Sequence, residues 1–391
     1  MKIIVHDYSG HPFQVQLSRE LARRGHEVAH LFSSDFQTPK GDLAKRADDP
    51  AGLEIVGISL GVPFLKTTFV RRRNQEIAYG RLLAKKIIER RPDVVISSNT
   101  PLDAQRHVLR ATRGIKGCKF IFWLQDVYGE AIYRILSNKF GLFGKAIGAF
   151  YQRMEFSLLR RSDRVVSITE DFVSLLDKHG VEKNLIEVIE NWAPLNEIAV
   201  MPKRNAWSEA EKVSDTINIV YSGTLGFKHN PDLLLRLAKE TSANVMVFSE
   251  GKVADELAEK GRQAGLTNFR VRPWVKFELL PSVLASADIL VALIEPDAGV
   301  FSVPSKVLTY LCANRPVLAS IPTDNLAARI LTREQAGLVA SPGDAEAFVT
   351  QAKRLLADPD LRHRMGSNGR AYAERQFDIK KLGDRFEKLM G

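Results

Sequence analysis

Short runs of aliphatic and aromatic residues recur along this chain. Each is followed by a loop and then by a stretch whose apolar positions fall three and four apart. The runs at 2–6, 27–32, 93–97, 118–124, 164–168 and 185–189 form one series, and those at 217–222, 244–249, 269–272, 289–294 and 317–321 a second. Runs with little polar alternation predict strands covered on both faces, as in parallel sheets. The stretches between them predict helices. One follows a loop at Asp7–Pro12, reaches about Arg24 and stops at Gly25-His26; another lies within 66–91, with Ile77, Leu82, Leu83, Ile87 and Ile88 as its stripe and Pro92 as its stop. Strands alternating with helices in two series predict an α/β fold of two Rossmann-like, doubly wound domains. Residues 33–63 read as loop, and the polar segment 196–215, which holds Pro202, reads as a linker. The expected layout is a domain at 1–195, the linker, a domain at 216–374 and a terminal segment at 375–391. A chain of 391 residues suits two domains.

The densest chemistry follows the run at 289–294. A loop there carries Glu295, Asp297 and Gly299. Val303-Pro304-Ser305-Lys306 then opens a helix, since Pro suits a first turn and Ser favours a cap. Val307, Leu308, Leu311 and Cys312 fall on its core side, and Lys306, Thr309 and Tyr310 on the other. Asn314 suits a helix stop. A helix N-terminus at the C-terminal edge of a parallel sheet presents free amides and the positive end of a dipole. With the lysine's full charge added, the arrangement suits a diphosphate, and Glu295 suits the hydroxyls of a sugar or ribose. The same pattern also describes an ordinary strand-to-helix turn with a solvated lysine.

The second series begins on a similar theme. In Gly223-Thr224-Leu225-Gly226-Phe227-Lys228-His229-Asn230-Pro231, two glycines let amides approach an anion and Lys228 adds charge. Asn230-Pro231 suits a helix start, and His229 reads as structural. In the first series, Gly10 either lets backbone approach a ligand or is a plain turn glycine. Asn99-Thr100-Pro101 suits a helix start. Asp126, at the end of the strand at 118–124, suits a base or ligand for an acceptor hydroxyl, or a helix cap. There is no GxGxxG, no P-loop, no Ser-His-Asp signature and no metal-ligand cluster. Asp358-Pro359-Asp360 precedes a surface helix and is not read as a metal site.

The 289–322 stretch resembles the donor-binding segment of the retaining family-four glycosyltransferases of the GT-B fold, in which two such domains face a cleft. It is most similar to their exopolysaccharide and O-antigen (colanic-acid-type) branch. There Pro-Ser-Lys precedes the helix and a Gly/Asn-Arg-Pro-Val follows it, here Asn314-Arg315-Pro316-Val317. Thr309 stands where the commoner family pattern has a second glutamate, which leaves ribose recognition to Tyr310, Thr309 or Lys306. The 223–231 loop looks like the family's first donor-phosphate loop, with Thr224 in place of an arginine and Lys228 kept. Pro273-Trp274-Val275-Lys276 resembles the segment that reads the base, and Asn191-Trp192 the domain exit. The family's last helix crosses back onto its first domain.

The resemblance implies donor contacts from Gly223, Thr224, Lys228, Glu250, Trp274 and Val275. It implies further ones from Glu295, Gly299, Ser305, Lys306, Thr309 and Tyr310. Acceptor contacts fall to Gly10, His11, Asp126 and Tyr128, and the catalytic set is Asp126, Lys228, Glu295 and Lys306. The implied reaction moves a hexosyl or N-acetylhexosaminyl group, with retention, from a UDP-linked sugar to a lipid-linked or saccharide acceptor in cell-surface polysaccharide assembly. Neither a cofactor nor an obligatory metal is implied. The alternatives are a nucleotide-sugar epimerase of the same fold and a catalytically inactive GT-B scaffold that binds membranes. Lys228, Glu295 and Lys306 kept together argue against the scaffold.

Charge adds a location. The net charge is +10, but residues 1–195 hold 30 Lys/Arg against 22 Asp/Glu, and the remainder 26 against 24. The first half therefore suits an anionic partner. Nine bases face two acids in 66–91, and in 132–161 Glu155 is the only acid among Arg134, Lys139, Lys145, Arg153, Arg160 and Arg161. The second segment also carries Phe140, Leu142, Phe143 and Phe150. It reads as a helix lying in an anionic membrane interface, or as a core helix with a solvated basic face. No nucleic-acid-binding pattern is present. Cys118 and Cys312 read as reduced and buried. With no signal peptide or membrane span in view, the expected place is cytoplasmic, peripheral on the inner face of the plasma membrane.

Overall fold

The computed structural model describes residues 1–36, 38–62, 69–226, 229–296 and 302–391. The chain forms two compact units, Met1–Asn191 with Ile379–Gly391, and Trp192–Asp378.

The first unit holds seven strands: β1 (Lys2–Asp7), β2 (Glu27–Ser33), β3 (Leu53–Ile58), β4 (Val94–Ser98), β5 (Lys119–Leu124), β6 (Arg164–Ser167) and β7 (Ile186–Val188). All pair in parallel, in the order β3-β2-β1-β4-β5-β6-β7. The central strands are buried almost throughout, which is why they read as unbroken apolar runs. The edge strand β3 (LEIVGI) carries Glu54 and Gly57 and is only half covered. It lies inside the segment expected to be loop, because an edge strand need not be apolar on both faces. The Phe69–Arg90 helix ends just before Pro92, as expected, but its stripe is rotated. Tyr79, Leu83 and Ile87 are buried, whereas Leu82 and Ile88 face solvent.

The Ile379–Met390 helix belongs to this unit. Phe386 is fully buried against Trp123, with ring centroids 4.8 Å apart. Arg24 reaches Asp384 at 2.7 Å, and Lys119 Nζ reaches the Met390 carbonyl at 3.0 Å. Burying one such Phe contributes about 1.5–3 kcal/mol, more than exposed ion pairs do.

The second unit holds β8 (Asn218–Ser222), β9 (Asn244–Phe248), β10 (Phe269–Arg272), β11 (Ile289–Leu293), β12 (Val317–Ser320) and β13 (Gly337–Ala340). They too are parallel, in the order β10-β9-β8-β11-β12-β13. The segment expected to be a linker is part of this unit. Asn205 and Ser208 form a reciprocal capping box on the Ala206–Ala210 helix, and Asn205 Nδ2 donates to the Ser282 carbonyl at 3.1 Å. Lys203 pairs with Asp288 at 2.5 Å. Asn205, Ser208 and Lys203 thus tie the segment to the unit, while Arg204, Glu209, Lys212 and Asp215 are exposed.

In each sheet the chain runs outward in one direction and then returns to the middle to run in the other. The reversals fall between β1 and β4 and between β8 and β11. Loops at the carboxyl ends of such neighbouring strands form the crevice where α/β sheets bind ligands.

Candidate active site

The second unit's crevice is built on Tyr221, Gly223 and Lys306. Tyr221, the last residue but one of β8, donates from its hydroxyl to the Thr224 carbonyl at 2.9 Å. Gly223 follows at φ 143°, and a Cβ there would lie 3.2 Å from Lys306 Cε and 3.3 Å from Nζ. Glycine is what lets the lysine pass so close. Lys306 stands in the first turn of the Ser305–Cys312 helix, with its Nζ 4.0 Å above the Tyr221 ring and donating to the Tyr221 hydroxyl. The residue keeps a margin of exposure, yet its ammonium is desolvated, and this pushes the pKa down to about 7. Among the described residues no carboxylate pairs with it.

The helix itself is built as its pattern predicts on the core side, where Val307, Leu308, Leu311 and Cys312 are buried. Asn314 takes the left-handed conformation just past its end, at φ 57°. Two expectations change. Pro304 is the N-cap and makes no side-chain bond, so Ser305 is the first helical residue, not the cap. Tyr310 is buried, and its hydroxyl donates to the Ser222 carbonyl at 3.0 Å and accepts from the Ser222 amide at 2.9 Å. It fixes the end of β8 and has no hydroxyl proton to spare for a ribose, while Thr309 remains partly exposed.

Glu295, just beyond β11, lines a cleft of about 350 Å³ with Gly226, His229, Asn230, Pro231 and Val253. His229 braces that loop, as its structural reading requires, with Nδ1 3.1 Å from the Gly226 amide. Thr224 is exposed. Glu250 accepts from the Trp274 amide at 3.1 Å, next to Val275, and the Trp274 indole N–H is buried without a partner among the described residues. Lys228, Asp297 and Gly299 lie outside the described residues. Asp358 caps the Pro359–Gln376 helix through the Leu361 amide, at 2.8 Å.

The first unit's crevice holds an acid instead. Asp7, at the end of β1, is fully buried. It accepts from the amides of Ser9 (3.0 Å) and His11 and from Asn99 Nδ2 (3.2 Å), and His11 Nδ1 is 3.6 Å away. Burial opposes its ionisation, but the facing His11 and its hydrogen bonds outweigh that, and the carboxyl lies below its ordinary value. Asn99 turns at φ 52° to reach Asp7 and does not cap the next helix, whose N-cap is Pro101. Beneath, His6 bonds Tyr79 (2.9 Å) and Ser97 (3.0 Å), and burial lowers it to about 3, so it is neutral.

Gly10 is buried at φ 78°, where a Cβ would meet Leu43 Cδ1 at 2.8 Å. Glycine suits that conformation, as the turn reading of Gly10 has it, and His11 beside it stays partly exposed. Asp126 is partly exposed after β5 and does not cap the helix that starts at Tyr128. Glu155 does so instead, accepting from the amides of Tyr128 (2.9 Å) and Gly129 (2.7 Å). Burial raises the Glu155 carboxyl to about 8. Asp126 and Asp7 both act electrostatically on Tyr128, so these groups share one edge of the sheet. Tyr221, Asp7 and Glu155 were missed in the pattern. Tyr221 lies in an apolar run and Glu155 mid-helix, where a polar group is out of place, and Asp7 stands just past the run at 2–6 at a strand's carboxyl end.

Residues 11–192 match the family described as Glycosyl transferase 4-like domain, and residues 216–358 the family Glycosyl transferases group 1. The chain belongs to the glycosyltransferases. This glycosyltransferase is 25% identical over 296 residues to the probable glycosyltransferase WbjE of Pseudomonas aeruginosa, covering 72% of this chain and 71% of that one. Among solved structures it is similar to sucrose-phosphate synthase from Thermosynechococcus elongatus, with a TM-score of 0.76 at 13% identity over 100% of this chain and 98% of that one. It is also similar to Anabaena HepE, solved in complex with UDP-glucose, with a TM-score of 0.70 at 14% identity over 99% and 98%. Its fold is GT-B. Among the described residues no helix is long and apolar enough to cross a membrane, and no three His, Cys, Asp or Glu are grouped to hold a metal ion.

Proposed function

We propose that this glycosyltransferase moves a hexosyl or N-acetylhexosaminyl group from a UDP-sugar to a lipid-linked or saccharide acceptor. The transfer retains the anomeric configuration and serves cell-surface polysaccharide assembly. The observation that carries the reading is Lys306, a desolvated ammonium beside a glycine at the β8–β11 crevice, with no protein carboxylate among the described residues to neutralise it. A nucleoside diphosphate supplies the missing charge. The choice of UDP is supported by the relatives solved with it, HepE and the S. aureus protein TarM.

In the proposed reaction the acceptor oxygen attacks the anomeric carbon from the face the diphosphate leaves. The carbon–oxygen bond to phosphate breaks, the glycosidic bond forms, and the hydroxyl proton passes to the departing phosphate oxygen. Negative charge grows on the diphosphate, where Lys306, Lys228 and the helix start at Ser305 are suited to stabilise it. Glu295 receives sugar hydroxyls. His11 and Asp126 hold the acceptor hydroxyl. The route calls for neither a protein nucleophile nor an obligatory metal. The first unit's basic excess supports a position at an anionic cytoplasmic leaflet, where a lipid-linked acceptor would lie.

The test is a panel of UDP- and GDP-linked sugars, read by thermal shift, slow hydrolysis and product analysis with and without acceptor. A UDP-sugar at a hundredfold excess over its Kd should stabilise the second unit by about 2.7 kcal/mol. Stabilisation by none of the panel would contradict the reading. An altered sugar formed without acceptor would replace it with epimerisation.

A further inference from the structure

The Tyr128–Arg160 segment is two helical arms, not one. Phe140 (φ −128°, ψ 15°) and Gly141 (φ 53°, ψ −130°) leave the helical region. Side chains disfavour the Gly141 conformation, so glycine is what lets the chain reverse there. Three more glycines let the arms close on each other. A Cβ on Gly129 would come within 2.7 Å of Gln152 Cα and one on Gly148 within 2.5 Å of Tyr133 Cα, while one on Gly144 would overlap the Leu136 carbonyl. Backbone therefore packs on backbone, and Glu155 ties the base of the hairpin through the Tyr128 and Gly129 amides.

The hairpin's direction follows from its ends. Tyr128 succeeds the carboxyl end of β5, and Gly129 lies beside Gln152. The arms beyond that level rise past the sheet edge by about 15–18 Å, at 1.5 Å per helical residue. This is the edge that carries Asp126 and His11.

At the tip, Phe140, Leu142 and Phe143 are 52%, 85% and 72% exposed. Ile135 and Phe150 continue the apolar surface along the arms. No acid occurs between Glu130 and Glu155, while Lys139 and Lys145 flank the tip and are exposed. An exposed apolar tip flanked by two bases and free of acids complements a lipid surface with its phosphates.

We propose that this glycine-locked hairpin is a membrane-insertion device. Phe140, Leu142 and Phe143 enter the headgroup–acyl boundary of an anionic bilayer, and Lys139 and Lys145 pair with its phosphates. The inference rests on the lipid-side part of the function proposed above and names the element that makes the contact. It differs from a helix lying flat in the interface, because the geometry presents a tip rather than a face.

The full chain is tested by flotation with phosphatidylcholine vesicles, with and without 30% phosphatidylglycerol. Wild type should float with the anionic vesicles, and the Leu142→Asp/Phe143→Asp double variant should bind at least 10-fold more weakly. Lys139→Glu/Lys145→Glu should lose the preference for anionic lipid. A Leu142→Trp indole should blue-shift and be quenched by brominated acyl chains. Equal binding by wild type and the double Asp variant, or an L142W indole that is not quenched, overturns the proposal. So does a double variant that dissociates a dimer in sedimentation and leaves vesicle binding unchanged, since the tip would then be a protein interface. UDP stabilisation serves as the fold control and should be the same in every variant. If UDP fails to stabilise even the wild type, the donor reading falls while the vesicle result still decides the hairpin.

Discussion

In the β1–β4 crevice of the first unit a carboxylate is buried and then surrounded with donors. In the β8–β11 crevice of the second unit an ammonium is desolvated and given a phenol, a ring face and a glycine, but among the described residues no acid. The same topology thus carries opposite electrostatics at its two reversals. Asp7 is satisfied by its own chain, which makes it a fixed part of the scaffold. Lys306 is not, and a cation held at such a cost in desolvation is explained when a ligand brings the opposite charge. The difference separates a crevice that organises loops around His11 and Asn99 from one whose unneutralised charge suits the diphosphate proposed above.

The largest expected effect is at Lys306. Lys306→Ala should lower kcat by about 10²-fold, because its charge acts mainly as the leaving group develops. Its fold should survive, since the helix core is made by Val307, Leu308 and Leu311. Near-normal turnover in steady-state assays would erase the contrast between the crevices.

Asp7→Asn should act on stability instead. It leaves donors facing an amide, at about 1–3 kcal/mol in the first unit's unfolding transition near neutral pH. The folded pKa of Asp7 is depressed, so its contribution is present above the unfolded carboxylate value and is lost as pH falls through the folded one. Denaturant unfolding at pH 7 and pH 3 should show the gap between wild type and variant shrink on acidification. An equal gap at both would mean that shape, not charge, matters at Asp7.

Tyr310→Phe should have the smallest effect. It removes both bonds to Ser222, at about 1 kcal/mol in the second unit, with a few-fold rise in KM for the donor. A change in kcat as large as that of Lys306→Ala would return Tyr310 to the ligand site.

The sheets and the Pro304-Ser305-Lys306 helix were legible in the chain, because a strand covered on both faces leaves an apolar run and a helix leaves its 3.6-residue stripe. The edge strand β3 was not, since half of it meets solvent. Nor was the Ala206–Ala210 helix, where Ser208 takes the capping-box position a Glu or Gln would signal. Within the site, Lys306 stood out as charge at a helix start. Its setting did not, because Tyr221 looks like a core aromatic and the helical spacing put Tyr310 on the outer face with Lys306, whereas Tyr310 is buried and their hydroxyls meet Thr224, Ser222 and Lys306. The hairpin showed its composition but not its reversal, since a helical stripe does not reveal where backbone packs on backbone through Gly144 and Gly148.

The most direct test is the pH dependence of UDP affinity, measured by calorimetry from pH 7.5 to 9. This range lies above the terminal phosphate's own titration near pH 6. The free protein's Lys306 titrates near 7 and the bound diphosphate should hold it charged, so binding should take up a proton and weaken by nearly 10-fold per pH unit. Lys306→Arg, which stays charged, should bind UDP with a flat profile. A wild-type affinity that is constant over this range, with no proton uptake in buffers of different ionisation enthalpy, would contradict a diphosphate seated on Lys306.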